Sequence, residues 1–291
     1  SLGAALTPFA ERIAVDASYS SIADLRGDIR TQTDRLLQRD ADRRVARIST
    51  PRATVIVVSY RRPELLAEAL ESLTRQTFPP EAWECVVVEN GSRDPKIDAL
   101  LLRYEKAHSN FKILFRADNI NNVATSWNDA LDVALGDCVA TLDDDNRKHP
   151  RFLEVLVDEL DRHPERDGVY CRTRIINHKG EAVGLRAFTP TFTWQAEIGD
   201  NHVDSGELLG RREALDRLGG WDERCHAAED WDLVARITHF GRGLAPVDEI
   251  LADYRAHSEN RIHTSAELGA EACAVLLRSK HVEGASVPPR I

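Results

Sequence analysis

The chain has 291 residues, 42% of them apolar, and a formal net charge of −10. This is enough for one good core with extensions at either end, and the acidic balance excludes nucleic acid as a bulk partner, since no basic patch would offset phosphate repulsion. No apolar run approaches the roughly 20 residues of a membrane span, no basic-then-apolar opening marks a secretory signal, and the five scattered cysteines (85, 138, 171, 225, 273) read as reduced core residues of a cytoplasmic protein.

Residues 1–50 are rich in Arg, Asp and Ala, with Ile22, Leu25, Ile29, Leu36 and Leu37 at roughly helical spacing. They are expected to form an N-terminal helical extension, packed on the main domain or on a second subunit in a homodimer. The texture changes at Thr54. Val55-Ile56-Val57-Val58 is a β-branched run of the kind buried on both faces of a parallel sheet. Pro63 suits a first helical turn, and Leu65, Leu66, Ala69, Leu70 and Leu73 continue it at 3.6 spacing before Pro79-Pro80. A second strand at Cys85-Val86-Val87-Val88 precedes a helix over 97–107, a strand over 111–115, a helix over 124–135 and a fourth strand over 138–142. This alternation predicts a doubly wound, mostly parallel α/β sheet with right-handed crossovers.

The second half is less regular. A helix is expected over 150–163 and a strand over 168–176, followed by a turn at His178-Lys179-Gly180 into another strand. A helix opens at Glu229, and a last helical segment covers 265–282 before a loose tail. The domain reading is therefore an extension over 1–50, a main α/β domain over 51–263 and a C-terminal helix and tail over 264–291. Within the main domain, 51–147 is the regularly alternating half, and the less regular 148–263 is where a second pocket would be built, so that the two are expected to divide as nucleotide and acceptor halves if the site residues below bind a nucleotide.

Ligands of such sheets bind beyond the carboxyl ends of the strands. The residues there are Ser59-Tyr60, Glu89-Asn90-Gly91-Ser92 and Asp143-Asp144-Asp145. An aromatic face, amide and carboxylate acceptors and a carboxylate cluster make a nucleotide site by inventory, with the aspartates suited to a hard cation. No Gly-rich phosphate cradle is present, so an acidic chain needs a divalent cation as the bridge to a diphosphate.

Five motifs carry a family resemblance. They are Thr54-Val-Ile-Val-Val-Ser-Tyr60 with Ser72-Leu-Thr-Arg-Gln-Thr-Phe78, Val88-Glu-Asn-Gly-Ser-Arg-Asp94, Leu142-Asp-Asp-Asp-Asn146, Gly219-Gly-Trp-Asp-Glu223, and Glu229-Asp230. In this order the stretch from Thr54 to about His257 resembles the family-2 glycosyltransferases of the GT-A fold. The resemblance implies an inverting transfer of sugar from a nucleotide diphosphate, commonly UDP, with Mn²⁺ or Mg²⁺. Tyr60 would stack on the base beside Ser59 and Glu89. Asn90 stands where the family commonly has an aspartate that accepts the base N3–H. Asp143 and Asp144 would contact ribose or diphosphate, Asp145 would ligate the metal with a further contact from His257, and Asp230 would be the general base. Trp221 and Glu229 are candidates on the acceptor side.

Each residue also has a structural reading. Tyr60 suits packing, Asn90-Gly91 suits a plain turn, Glu229 and Asp230 suit a helix N-terminus, and Trp221 suits a core wall. Three adjacent aspartates repel one another, which favours a bound cation. Two other functions stay open on the residues alone: a sugar nucleotidyltransferase, which would normally show a Gly-rich loop after the first strand, and a catalytically silent nucleotide-sugar-binding module. The chain lacks the Gln-x-x-Arg-Trp pattern of processive synthases, so non-processive transfer is expected.

Overall fold

The computed structural model describes residues 50–190, 201–225 and 228–256. The expected helices over 1–49 and 265–282, and His257, lie outside the described residues.

The first half alternates as the hydrophobic pattern requires: β1 (Ala53–Ser59), α1 (Pro63–Thr74), β2 (Trp83–Glu89), α2 (Pro95–Ala107), β3 (Phe111–Phe115), α3 (Val123–Val133) and β4 (Cys138–Asp143). Local chemistry sets the helix starts. Pro63 and Pro95 sit in first turns, the Asp94 carboxylate accepts from Lys96 N–H, and Asn122 accepts from Thr125 N–H. β1 pairs in parallel with both β2 and β4, and β2 with β3, which gives the order β3-β2-β1-β4. The winding direction therefore reverses between β1 and β4.

Alternation along these strands builds two cores. Val55, Val57, Cys85 and Val87 pack on one face with Leu66, Leu70 and Leu73 of α1 and with Ile97 and Leu101 of α2. Ile56, Val86 and Val88 pack on the other with Trp127 and Leu131 of α3. The side chains of α1 that reach the first core are fully buried, and each such leucine stabilises the fold by about 1.5–3 kcal/mol through burial alone.

The second half adds β5 (Arg147–Lys148), α4 (Phe152–Arg162), β6 (Gly168–Ile176), β7 (Ala182–Leu185), β8 (Leu208–Arg211), α5 (Arg212–Leu218), α6 (Glu229–Phe240) and β9 (Leu244–Arg255). β8 runs antiparallel to β4, and β6 then lies between β8 and β9 in a single nine-stranded sheet. The longest ladders are parallel, as expected, and the second half adds short antiparallel ones. The parallel pairs are β1–β2, β1–β4, β2–β3 and β6–β9, and as many pairs are antiparallel. The sheet is mixed. β8 is only four residues long, and β9 carries Pro246 and register shifts opposite Arg172 that break its alternation. Neither strand has a pattern that sequence could expose.

Among the described residues, no helix is long and apolar enough to cross a membrane, and Cys85, Cys138, Cys171 and Cys225 are all buried.

Candidate active site

The crevice lies where β1 and β4 end side by side, with Val58 opposite Asp143 and Ser59 opposite Glu89. This is the switch point of the sheet, the place where doubly wound folds bind ligands.

Asp143, Asp144 and Asp145 leave β4 in a tight turn. Asp144 and Asp145 are 1% and 6% exposed. The Asp144 carboxylate accepts from Tyr60 N–H at 2.9 Å, and Arg62 Nη2 lies 2.7 Å from its other oxygen. Arg62 also pairs with Asp145, and Asn146 donates to Asp143 at 3.1 Å. One guanidinium thus bridges two of the three carboxylates. Burial pushes Asp144 up to about 7, with Asp145 adding repulsion and Arg62 opposing it. Asp143 is also held well above the usual carboxylate range, by burial first and then by Asp145, Asp204 and Asp144. These carboxylates repel one another, and Arg62 offsets part of that repulsion.

β9 fixes this turn from the far side. β5 pairs Arg147 with Asp253, which brings Arg255 against Asp145 and Asn146. The buried Arg255 guanidinium donates to the carbonyls of Asp145 (2.8 Å) and His178 (2.9 Å), and the Arg255 backbone N–H donates to Asn146 Oδ1 at 2.8 Å.

The β2 loop shapes the other wall. Both Glu89 carboxylate oxygens accept backbone N–H groups, from Gly91 at 3.0 Å and Ser92 at 2.8 Å. Glu89 therefore braces the loop, and each of its oxygens keeps a second lone pair. Gly91 has φ +68°, and a Cβ there would stand 2.2 Å from the Asp118 carbonyl carbon, so the close approach of the 118–119 segment requires glycine. That approach places Asn119 Oδ1 3.1 Å from Asn90 Nδ2, while Asn119 also accepts from Asn121 N–H. The Asn90 amide is thereby oriented. Its Oδ1 is buried and has no hydrogen-bond partner, and the same holds for Ser59 Oγ. Tyr60 is half-buried at the mouth, with the Arg61 guanidinium 4.9 Å from its ring centre.

Glu229 and Asp230 open α6, both buried. Asp230 Oδ1 accepts from Trp231 N–H at 2.7 Å and Oδ2 from Asn201 Nδ2 at 3.2 Å. Burial and Asp204 push Asp230 up to about 6 against the pull of Arg186. Trp221 lies in the second core, 3% exposed, with its ring centre 5.3 Å from that of Trp127. It supports the wall from behind. Among the described residues, Asp222, Cys225 and Asp232 bring possible ligand atoms within 4.8 Å of one another. Both carboxylates are already engaged, Asp222 by Arg224 and Asp232 by Arg236, and no metal is assigned to them.

Several residues of the site have no sequence motif. Asp204 acts on Asp143, Asp230, Glu207 and Tyr254, and Arg62, Arg186, Asn201 and Arg255 connect the walls. Only Asp204-Ser-Gly-Glu207 carries a readable signal, a capping box that opens a short 3₁₀ turn.

A parallel switch-point half joined to a mixed second half, with aspartates at the junction, defines the GT-A fold. The profile of glycosyl transferase family 2 matches residues 54–219, and a second one, glycosyltransferase-like family 2, matches 169–283; the chain belongs to this family. Protein CgeD of Bacillus subtilis (strain 168) is 28% identical over 216 residues, covering 69% of this chain and 49% of CgeD, so the chain spans about half of that relative. The structure of S. aureus TarS 1–349 in complex with UDP has a TM-score of 0.64 at 20% identity, over 80% of this chain and 67% of that one. The mannosyltransferase PcManGT from Pyrobaculum calidifontis, in complex with GDP-Man and Mn²⁺, has a TM-score of 0.61 at 21% identity, over 83% of this chain and 67% of that one. At these identities the two structures speak for the fold.

Proposed function

We propose that this chain moves a sugar from a UDP-linked donor to an acceptor hydroxyl, non-processively and with inversion at the anomeric carbon. The observation that carries the reading is the arrangement around one crevice of an oriented, unpartnered Asn90 Oδ1 and the crowded Asp143–Asp145 turn. Residues 51–147 serve as the donor half and 148–263 as the acceptor half.

Tyr60 offers the base a ring face, and Asn90 Oδ1 accepts an N–H from the base edge. Asp143 and Asp144 take the ribose and diphosphate side. Asp145, joined by His257 as the resemblance implies, would hold Mn²⁺ or Mg²⁺, in keeping with the mutual repulsion of the aspartates in this turn. A bound cation supplies positive charge against the diphosphate. Asp230 accepts the proton of the acceptor hydroxyl as its oxygen bonds to the anomeric carbon. The bond from that carbon to the diphosphate oxygen breaks on the opposite face, and the electron pair leaves with the nucleotide. No covalent intermediate is needed.

Calorimetric titration of UDP with Mn²⁺ present and then with EDTA tests the reading. The expected result is affinity in Mn²⁺ and a large loss in EDTA. Equal affinity in both would remove the cation bridge.

A further inference from the structure

Asp230 is surrounded by charge from residues that no motif marks. Its Oδ2 is held by the Asn201 side chain at 3.2 Å, and the Asn201 carbonyl accepts from Arg186 Nη2 at 3.1 Å. Arg186 Nη1 lies 3.1 Å from Asp204 Oδ2. Asp204 is itself fixed, because its Oδ1 accepts Gly206 N–H at 2.8 Å and its own N–H donates to Glu207 at 3.0 Å. One guanidinium thus holds both the residue that grips Asp230 and the carboxylate that repels it.

The charged and titratable groups around Asp230 come from four elements. Arg186 follows β7, Asp204 and Glu207 come from the turn before β8, and Tyr254 comes from β9, where it interacts with both Asp204 and Arg186. On α6 itself stand Glu229 and Asp232, the latter bonded to Arg236 at 2.7 Å.

We propose that Arg186 and Asp204 are positioning residues that keep Asp230 oriented and ready to accept a proton. This rests on Asp230 being the base. Burial and Asp204 favour the protonated carboxyl, and Arg186 favours the carboxylate. The balance leaves Asp230 ionised at neutral pH and still basic enough to take a proton, which is where general bases work best. Without Arg186, only the Trp231 N–H and Asn201 hydrogen bonds oppose burial and Asp204, and the carboxyl shifts towards its protonated form. Without the Asp204 charge, the carboxylate ionises more readily and is a weaker base. The two perturbations therefore act in opposite directions, whereas plain structural damage has no reason to do so.

The test is carboxyl-carbon NMR titration of protein labelled with ¹³C-aspartate, with the Asp230 signal assigned by its loss in Asp230→Asn. Arg186→Gln should raise the midpoint by about one unit or more, Asp204→Asn should lower it, and Arg186→Lys should return it close to wild type. UDP release from UDP-glucose and UDP-N-acetylglucosamine, followed against pH, should show the acid limb of kcat/KM moving the same way. If Arg186→Gln does not fold, Asp204→Asn and Arg186→Lys carry the test. Midpoints that stay put, or that move the same way in the Gln and Asn variants, overturn the positioning roles even when Asp230→Asn is inactive. Normal UDP release by Asp230→Asn overturns the base assignment, and with it any part for Arg186 and Asp204 in proton transfer.

Discussion

Asn90→Leu removes the one oriented acceptor of the β2 loop while keeping its size. In the free protein Asn90 is 6% exposed, its Nδ2 donates to Asn119, and its Oδ1 is buried without a partner. An acceptor left in that state costs about 1–3 kcal/mol, which a base N–H recovers on binding. Leucine abolishes both the cost and the recovery, so UDP affinity should fall by about 5–150-fold. Stability should hold, because Asn119 Oδ1 keeps its bond from Asn121 N–H. The assay is calorimetric titration of UDP in saturating Mn²⁺, paired with a thermal melt of each variant. Asn90→Asp sharpens the test: its carboxylate would face Asn119 Oδ1, forcing that amide to turn and give up Asn121, so the melt should drop while the acceptor survives. An Asn90→Leu variant that melts normally and binds UDP as tightly as wild type would refute the claim that this oxygen reads the base.

Asp145→Ala should lose Mn²⁺-dependent UDP affinity and keep its circular dichroism, since the side chain stands in a turn at the crevice and not in either core; unchanged Mn²⁺ dependence would move the ligand elsewhere. The aspartate turn also predicts a pH effect. Asp144 titrates near 7 in the fold against an ordinary 3.8, so the folded state holds that proton more tightly, and its contribution to stability falls as pH rises from about 4 to about 7. Below about pH 7 the proton on Asp144 also removes negative charge from the turn in which Asp145 would meet a cation. Added Mn²⁺ should accordingly raise Tm more at pH 8 than at pH 5.5, and an equal shift at both would contradict the assignment.

The sequence is most informative where a pattern is local. Val55–Val58 and Cys85–Val88 are apolar at every position because both faces are covered, and the 3.6 spacing after Pro63 places Leu66, Leu70 and Leu73 in the core. Strand ends follow from these runs, and so Asp143–Asp145 and Ser59-Tyr60 could be set in one crevice before any coordinates. Trp221 illustrates the limit. The Gly219-Gly220 pair is readable as a helix stop, with φ of 80° and 69°, but nothing local says that the following ring turns inward onto Trp127. Contacts across long separations were not legible at all. Arg62 meets Asp145 over 83 residues and Arg255 meets Asp145 over 110, and an arginine in isolation looks like a solvated charge. β8 and β9 stayed hidden for the same reason, because their register is set by β4 and β6 and not by their own composition.

The most direct test of the account is UDP release from UDP-glucose and UDP-N-acetylglucosamine by Asp230→Asn, measured beside Asp232→Asn and Glu229→Gln. Asparagine keeps the shape at the start of α6 but cannot take a proton, so kcat should fall by about 10²–10⁴-fold while donor KM barely moves. Asp232 is bonded to Arg236 one turn along the helix, and its variant should release UDP at close to the wild-type rate. A normal rate for Asp230→Asn, or a loss confined to Glu229→Gln, would contradict the assignment of the base on which the proposed transfer depends.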